Sequence, residues 1–224
     1  MGSSCTVTRW PRKMSVRRGG LLPLGSQSFA LLRMKTNRYG QSAVLTSEQL
    51  DKLISALQGC HHQVLAEVCR RTACRISEAR QLTWASITNG GVTFPKVITK
   101  GKLASRTVPL TPKLQEVLAE WRREWSALYG REPQGVDFVF PGRFAGQCVS
   151  SRAFMDALEL AAHETGLEGV SSHSFRRSAL SSASEAGVPL AALRALSGHQ
   201  SLSTLQRYLE ISQTAKEQAA AAFA

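Results

Sequence analysis

The chain has 224 residues, 43% of them hydrophobic, which is enough to bury the core of one good-sized domain. Its formal net charge of +12 and pI of about 10.1 favour a polyanionic partner, most often nucleic acid, although a merely soluble basic protein has the same composition. No segment approaches the ~18 consecutive apolar residues of a membrane-spanning helix, which excludes a protein built from such helices.

The first 44 residues are predicted to form a basic, flexible arm ahead of the folded domain. Residues 1–47 contain eight Lys or Arg and no Asp or Glu, so they carry +8 of the net charge and residues 48–224 carry +4. They are rich in Gly and Ser and show no helical periodicity. Three other interpretations stay open: an organelle transit peptide, a myristoylation site at Gly2, and translation that begins at Met14 or Met34.

A mainly α-helical domain with a small antiparallel β-sheet, an α+β fold, is predicted over residues 45–224. Thr46 or Ser47 caps its first helix, because Glu48 and Gln49 follow in the first turn. Apolar residues then recur on one helical face. A second helix is predicted over about 62–74, and a third is predicted to start at Ser77.

Two short strands are predicted on either side of a glycine turn. They cover residues 92–99 and 106–110, and Lys100-Gly101-Lys102 lies between them. Pro95 would confine the first strand to a sheet edge or a bulge, because proline has no amide hydrogen to donate.

A long helix is predicted to begin at Thr111-Pro112, since proline is favoured at the first helical position. Trp121 and Trp125 lie on its apolar stripe, which favours a place in the core over base stacking. Five further helices are predicted, at about 151–165, 174–186, 189–196, 201–209 and 212–222.

The segment Thr72-Ala-Cys-Arg-Ile-Ser-Glu78 contains an arginine with a support of its own. Arg75 precedes a helix start, and the Glu78 carboxylate three residues later can hold the guanidinium rigidly. Such a guanidinium offers two parallel donors to a phosphate. Taken alone, however, the two residues fit an ordinary surface ion pair better.

Two later segments also place polar side chains at helix ends. His173 and Arg176 are three residues apart at a helix start, so they share a face where a phosphate is favoured. In Leu196-Ser-Gly-His199, Gly198 permits the turn that presents His199, and Tyr208 follows nine residues later. Each pattern is weak alone, and Tyr208 by itself fits a half-buried packing residue.

Together these segments resemble the catalytic domain of the tyrosine recombinases, which include phage integrases, chromosome-dimer recombinases and fimbrial inversion recombinases. The resemblance covers about residues 45–224. It rests on the stretches T-A-C-R-I-S-E-A-R-Q-L-T-W, T-K-G-K-L-A-S-R-T-V-P-L, H-S-F-R-R-S and L-S-G-H-Q-S-L-S-T-L-Q-R-Y. The chain has Ala73-Cys74 where the family usually has Gly-Leu or Gly-Met, and Phe175 and Arg177 where it usually has H-x-L-R-H.

The resemblance implies catalytic roles for six residues: Arg75, Lys100, His173, Arg176, His199 and Tyr208. Arg75 and Arg176 would clamp the phosphate oxygens, and His199 would donate a further hydrogen bond. Tyr208 would attack the phosphorus, with His173 as the acceptor of its proton. A lysine would protonate the leaving 5′ oxygen.

The choice of lysine stays open. The family places it in a β-turn ahead of R-x-V-P-L, and the spacing here differs by one residue from the common form. Thr99-Lys100-Gly101 matches the turn better, so Lys100 is preferred, and Lys102 is assigned a supporting role with Glu78. Five other basic residues are expected to contact DNA: Arg33, Lys35, Arg38, Arg106 and Arg177.

The implied activity is site-specific recombination of double-stranded DNA through a 3′-phosphotyrosyl intermediate, without cofactor, metal ion or ATP. In such a mechanism the arginines supply the positive charge that metal ions supply elsewhere.

The five cysteines are odd in number and form no Cys-x-x-Cys pair, which favours a reducing compartment. The expected setting is the bacterial cytoplasm, on DNA of the nucleoid, as a homotetramer on two recombination sites and without a membrane.

Two alternatives remain from the sequence. A type IB topoisomerase uses the same residues to relax supercoiled DNA, and a non-catalytic relic would only bind DNA. Few residues precede the catalytic segment, as in the short fimbrial inversion recombinases, which weakens the expectation of tight autonomous DNA binding.

Overall fold

The computed structural model describes residues 41–99, 101, 104–207, 209, 216–217 and 220–221. Several sequence predictions fall outside these residues: those on Arg33, Lys35, Arg38, Lys100, Lys102 and Tyr208. Most of the helix predicted over 212–222 is outside them too.

The described part of the chain is mainly helical. Three α-helices precede the sheet: α1 (Ser47–Ala56), α2 (Cys60–Thr72) and α3 (Ile76–Ala79). Five follow it: α4 (Pro112–Tyr129), α5 (Ser151–Thr165), α6 (Ser172–Glu185), α7 (Leu190–Ser197) and α8 (Leu202–Gln206). None of the described helices is long and apolar enough to cross a membrane.

Side-chain caps fix two helix starts where the sequence predicted them. The Thr46 hydroxyl accepts from the Gln49 amide at 3.2 Å, and the Gln49 side chain accepts from the Thr46 amide at 2.9 Å, which completes a capping box. The Thr111 hydroxyl accepts from the Leu114 amide at the start of α4, with Pro112 at the first helical position. Helix α3 begins at Ile76, one residue before the predicted start, and has only four residues.

The sheet has three antiparallel strands in the order β1 (Ile87–Thr88), β2 (Gly91–Phe94) and β3 (Arg106–Val108). Strand β1 was not predicted, because two residues carry no periodicity. Strand β2 stops before Pro95, and Phe94 pairs with Arg106 on β3. Gly91 is required in β2, since a Cβ atom there would lie 2.4 Å from the Val108 carbonyl oxygen.

The main core lies between the helices and one face of the sheet. Trp121 and Trp125 on α4 are both buried in it, as predicted, and the Trp121 indole donates to the Val139 carbonyl at 2.8 Å. The prediction of a mainly α-helical domain with a small antiparallel sheet is therefore confirmed.

The segment just before α1 lies along α6. The Ala43 amide donates to the Gly169 carbonyl at 2.9 Å, and the Leu45 amide donates to the Ser178 hydroxyl at 2.8 Å. Arg177 donates from Nη1 to the Ser42 carbonyl oxygen. The start of the described chain is thus hydrogen-bonded to the helix that carries Arg176.

Candidate active site

A cavity of about 260 Å³ opens where the α2–α3 loop, the start of β3 and the end of α7 meet. The basic and acidic side chains that line it are Arg75, Arg106, Glu78 and His199. These residues are far apart in the sequence and are brought together by the fold. Arg176 lies behind His199 and contacts its ring.

Glu78 is the anchor of the cavity wall. Its carboxylate is fully buried and accepts from Arg75 Nη1 at 3.0 Å, from the Arg75 amide at 3.2 Å and from Arg106 Nη2 at 2.5 Å. Burial alone would raise the pKa of Glu78, but the charges and hydrogen bonds of Arg106 and Arg75 outweigh it and lower the pKa below its ordinary value. One carboxylate therefore holds two guanidinium groups in fixed positions.

Arg106 ties three elements together. Besides the pair with Glu78, its Nε donates to the Leu196 carbonyl at 3.0 Å, and its guanidinium lies 4.4 Å from the centroid of the Phe94 ring. Gly198 makes room for this side chain, because a Cβ atom there would lie 3.2 Å from it. Arg106 was predicted to contact DNA. In the structure its side chain also connects β3 to the turn before His199.

Arg176 is fully buried at the back of the site. Its Nη1 donates to the Ala73 carbonyl at 2.6 Å and its Nη2 to the Ser197 carbonyl at 2.9 Å. Ala73 has a left-handed backbone with φ of 48°, at the position where the resembled family usually has glycine. Burial, reinforced by the charge of Arg75, lowers the pKa of Arg176 to about 10, so the group stays charged at neutral pH.

His199 is buried directly after the glycine that ends α7. Gly198 has a φ of 69°, in the left-handed region that ends helices. The His199 ring nitrogen Nε2 lies 3.1 Å from Arg176 Nη2. Burial, reinforced by the charge of Arg176, lowers the pKa of His199 to about 3, so the ring is neutral at pH 7.

His173 and Arg177 flank Arg176 but have different settings. His173 is exposed in the first turn of α6, and the residues that line the described cavity do not include it. Arg177, predicted as a DNA contact, is buried and donates to the Ser42 carbonyl, which is a contact within the protein.

The described cavity suits a phosphate group more than a metal ion. Arg75, Arg106 and Arg176 supply three positive charges against the single carboxylate of Glu78. Planar guanidinium groups match the oxygens of a phosphate. Within the described residues, no three His, Cys, Asp or Glu side chains are grouped so that they could hold a metal ion.

Replacing Glu78 by Gln should lower the free energy of unfolding by about 3–5 kcal/mol, the usual cost of removing one partner from a buried ion pair. Urea titration at pH 7 measures this change in the free energy of unfolding. Glu116→Gln is the matched control, because it breaks an exposed pair with Lys113 at 3.1 Å and should cost no more than about 1 kcal/mol.

The effect of Glu78→Gln should also depend on pH. The folded-state pKa of Glu78 is lowered, so the carboxylate stabilises the fold above the unfolded-state pKa of about 4.3. That contribution is lost as the pH falls through the lower, folded-state value. The difference between wild type and variant should therefore narrow below about pH 4, and a constant difference would contradict the role given to Glu78.

One family model and two related proteins match large parts of this chain. The model of the phage integrase family matches residues 43–214. The integrase/recombinase y4eF of Sinorhizobium fredii is 28% identical over 170 residues, which cover 75% of this chain and 64% of that protein. The tyrosine recombinase XerC of Rickettsia rickettsii is 33% identical over 140 residues, which cover 62% of this chain and 43% of that protein.

A solved structure has the same fold. The XerH site-specific recombinase, bound to a palindromic difH substrate in a post-cleavage complex, matches with a TM-score of 0.65 and 23% identity. The match covers 79% of this chain and 51% of XerH. The chain thus spans about half the length of the recombinases it matches, and somewhat more of y4eF.

Proposed function

The chain belongs to the phage integrase family, and from that premise we propose that it is a site-specific DNA recombinase. It cleaves and rejoins strands of double-stranded DNA through Tyr208, without a metal ion or ATP. The observation that carries the proposal is the meeting of Arg75, Arg106 and His199 at one cavity, with buried Arg176 in contact with the His199 ring.

The charge of the cavity fits the reaction. Attack on a phosphodiester builds negative charge on the non-bridging oxygens, and donors fixed in advance stabilise that charge most effectively. Arg75 lines the cavity and is held by Glu78, so its guanidinium loses little freedom when it binds phosphate. Arg176 keeps the rear of the site positive while its own donors hold two backbone carbonyls.

In the proposed reaction the Tyr208 oxygen forms a bond to phosphorus and the bond from phosphorus to the 5′ oxygen breaks. The Tyr208 proton passes to a base, for which His173 is proposed, and a lysine, preferably Lys100, protonates the leaving 5′ oxygen. The products are a 3′-phosphotyrosyl protein and a free 5′ hydroxyl. A 5′ hydroxyl of another strand then reverses these steps, and since the ester conserves the bond energy no ATP is needed.

His199 takes part through a change of charge. Its ring is neutral in the DNA-free protein, because burial and three nearby arginines disfavour a further positive charge. A phosphodiester in the cavity brings negative charge close to the ring and raises its pKa. The protonated ring then donates to a phosphate oxygen.

Neutralising the basic arm should weaken DNA binding and flatten its dependence on salt. Each phosphate contact that is lost lowers the slope of log affinity against log salt concentration by roughly 0.9. The variant replaces eight residues by Gln: Arg9, Arg12, Lys13, Arg17, Arg18, Arg33, Lys35 and Arg38. The control replaces only the arginines, by Lys, which keeps the charge and should keep the slope. An equal slope in all three proteins would exclude the arm from DNA binding.

The proposed partners are duplex DNA and further copies of the same chain, as a tetramer on two recombination sites in a bacterial cytoplasm. DNA is the polyanion that the net charge favours. A tetramer would bring together the four strands that must be cut and exchanged.

The test is a trapping assay that needs no known target site. A pool of nicked duplexes of random sequence lets the short 5′-hydroxyl fragment diffuse away after cleavage, so covalent adducts accumulate and are seen on denaturing gels. We expect adducts from which the target can be sequenced. Two copies of that target in one plasmid should then recombine, whereas relaxation without exchange would indicate a topoisomerase. DNA binding without adducts would indicate a protein that only binds DNA.

A further inference from the structure

Ser197, the last residue of α7, contacts both of the buried groups of the site. It is fully buried. Its carbonyl accepts from Arg176 Nη2 at 2.9 Å, and its hydroxyl oxygen lies 2.7 Å from His199 Nδ1. No signal in the sequence assigned a role to this serine, because the contact depends on the turn at Gly198.

The direction of the hydrogen bond between Ser197 and His199 follows from the other partner of the hydroxyl. The Ser197 hydroxyl oxygen lies 2.6 Å from the Leu193 carbonyl oxygen, which can only accept, so the hydroxyl proton is donated there. The hydroxyl oxygen then has only lone pairs to offer to His199. Its ring nitrogen Nδ1 must therefore carry the hydrogen of the neutral imidazole.

The contact with Arg176 is compatible with this assignment but does not decide it. Arg176 Nη2 lies 3.1 Å from His199 Nε2 and 3.3 Å from Nδ1. Nearly equal distances to both ring nitrogens place Nη2 over the face of the ring and not on the in-plane lone pair of either nitrogen. The opposite tautomer would set the Nδ1 lone pair against a hydroxyl whose proton is donated to the Leu193 carbonyl, so Ser197 alone selects Nδ1–H.

We propose that Ser197 is a positioning residue that fixes the ring orientation and the Nδ1–H tautomer of His199. The nitrogen that exchanges a proton during strand cleavage is then Nε2. When a phosphate oxygen meets Nε2, the ring takes up a proton from solvent there, and the imidazolium keeps its Nδ1–H bond to Ser197. The catalytic consequence rests on the proposed recombinase function, whereas the tautomer can be measured without DNA.

The experiment combines nitrogen-15 NMR of the histidine rings in the DNA-free protein at pH 7 with single-turnover cleavage of the nicked duplexes. A His199→Gln variant assigns the His199 signals among the five histidines. Ser197→Ala removes the hydroxyl and Ser197→Thr retains it, since threonine can also donate to the carbonyl four residues earlier. Ser86→Ala is the matched control, because Ser86 is buried and its hydroxyl contacts Thr83 at 3.3 Å instead.

We expect the Nδ1–H signature of His199 in wild type, Ser197→Thr and Ser86→Ala, and its loss in Ser197→Ala. Cleavage by Ser197→Ala should fall by about 10- to 100-fold, as when other residues that orient a functional histidine are removed. The dependence of the cleavage rate of Ser197→Ala on pH should shift relative to wild type, and the affinity of this variant for DNA should not change.

Three results would overturn the proposal: an unchanged tautomer in Ser197→Ala whatever its cleavage rate, a Thr variant that behaves like Ala, and loss of the tautomer with wild-type cleavage. If wild type forms no adduct with any duplex, the proposed function fails instead, and the NMR signals still decide whether Ser197 sets the tautomer.

Discussion

Replacing Tyr208 by Phe is expected to abolish covalent protein–DNA adducts and to leave DNA binding unchanged. The substitution removes only the phenolic oxygen, the atom that would bond to phosphorus, and keeps the ring. Another nucleophile could replace it only if it lay in line with the leaving 5′ oxygen. Denaturing gels of the trapping reaction measure the adducts, and a gel shift measures binding.

The control for this prediction is Tyr129→Phe. Tyr129 is half-exposed at the end of α4 and packs against Trp125, with ring centroids 4.4 Å apart. Its loss of a phenolic oxygen should change neither adducts nor binding. Adducts at the wild-type level in Tyr208→Phe would assign the nucleophile to another residue.

Replacing Arg176 by Lys should reduce cleavage by orders of magnitude, because lysine loses the planar fork that holds the rear of the site. The guanidinium spans the carbonyls of Ala73 and Ser197 and also reaches the His199 ring. A single ammonium group cannot keep this geometry, although it keeps the charge. Single-turnover cleavage measures the effect. Circular dichroism in the same buffer checks that the variant is folded.

Two further variants make the result specific. Arg75→Lys changes a side chain that lines the cavity and is held by Glu78, so cleavage should fall comparably. Arg152→Lys alters an exposed pair with Asp156 on α5 and should cleave like wild type. If Arg75→Lys and Arg176→Lys both cleave like Arg152→Lys, the phosphate binds elsewhere.

Local chemistry made much of the fold predictable. Thr46 and Thr111 cap helices because their hydroxyls satisfy amides that the helix leaves unpaired, and this depends only on neighbouring residues. The core position of Trp121 and Trp125 follows from helical spacing alone. Strand β1 was missed, since its two residues owe their pairing to β2.

The candidate site was predictable only in part. The pair of Arg75 and Glu78 could be foreseen because the two residues lie within one helical turn. The pair of Glu78 with Arg106 depends on how β3 packs beside α3, and local sequence does not encode that approach. For the same reason the sequence did not indicate that Arg177 would be buried against the Ser42 carbonyl.

The contacts of Arg176 have a consequence for folding. Its two carbonyl partners belong to Ala73 and Ser197, at the C-terminal ends of α2 and α7, which are distant in the chain. If either end frayed, a buried cation would lose an acceptor, a far higher cost than the loss of an exposed hydrogen bond. Fraying of the two ends is therefore expected to be coupled, so that their amides would exchange with solvent through one shared opening. On this argument we expect the pocket to form as a single cooperative unit, in the same step that docks α7 onto the rest of the domain.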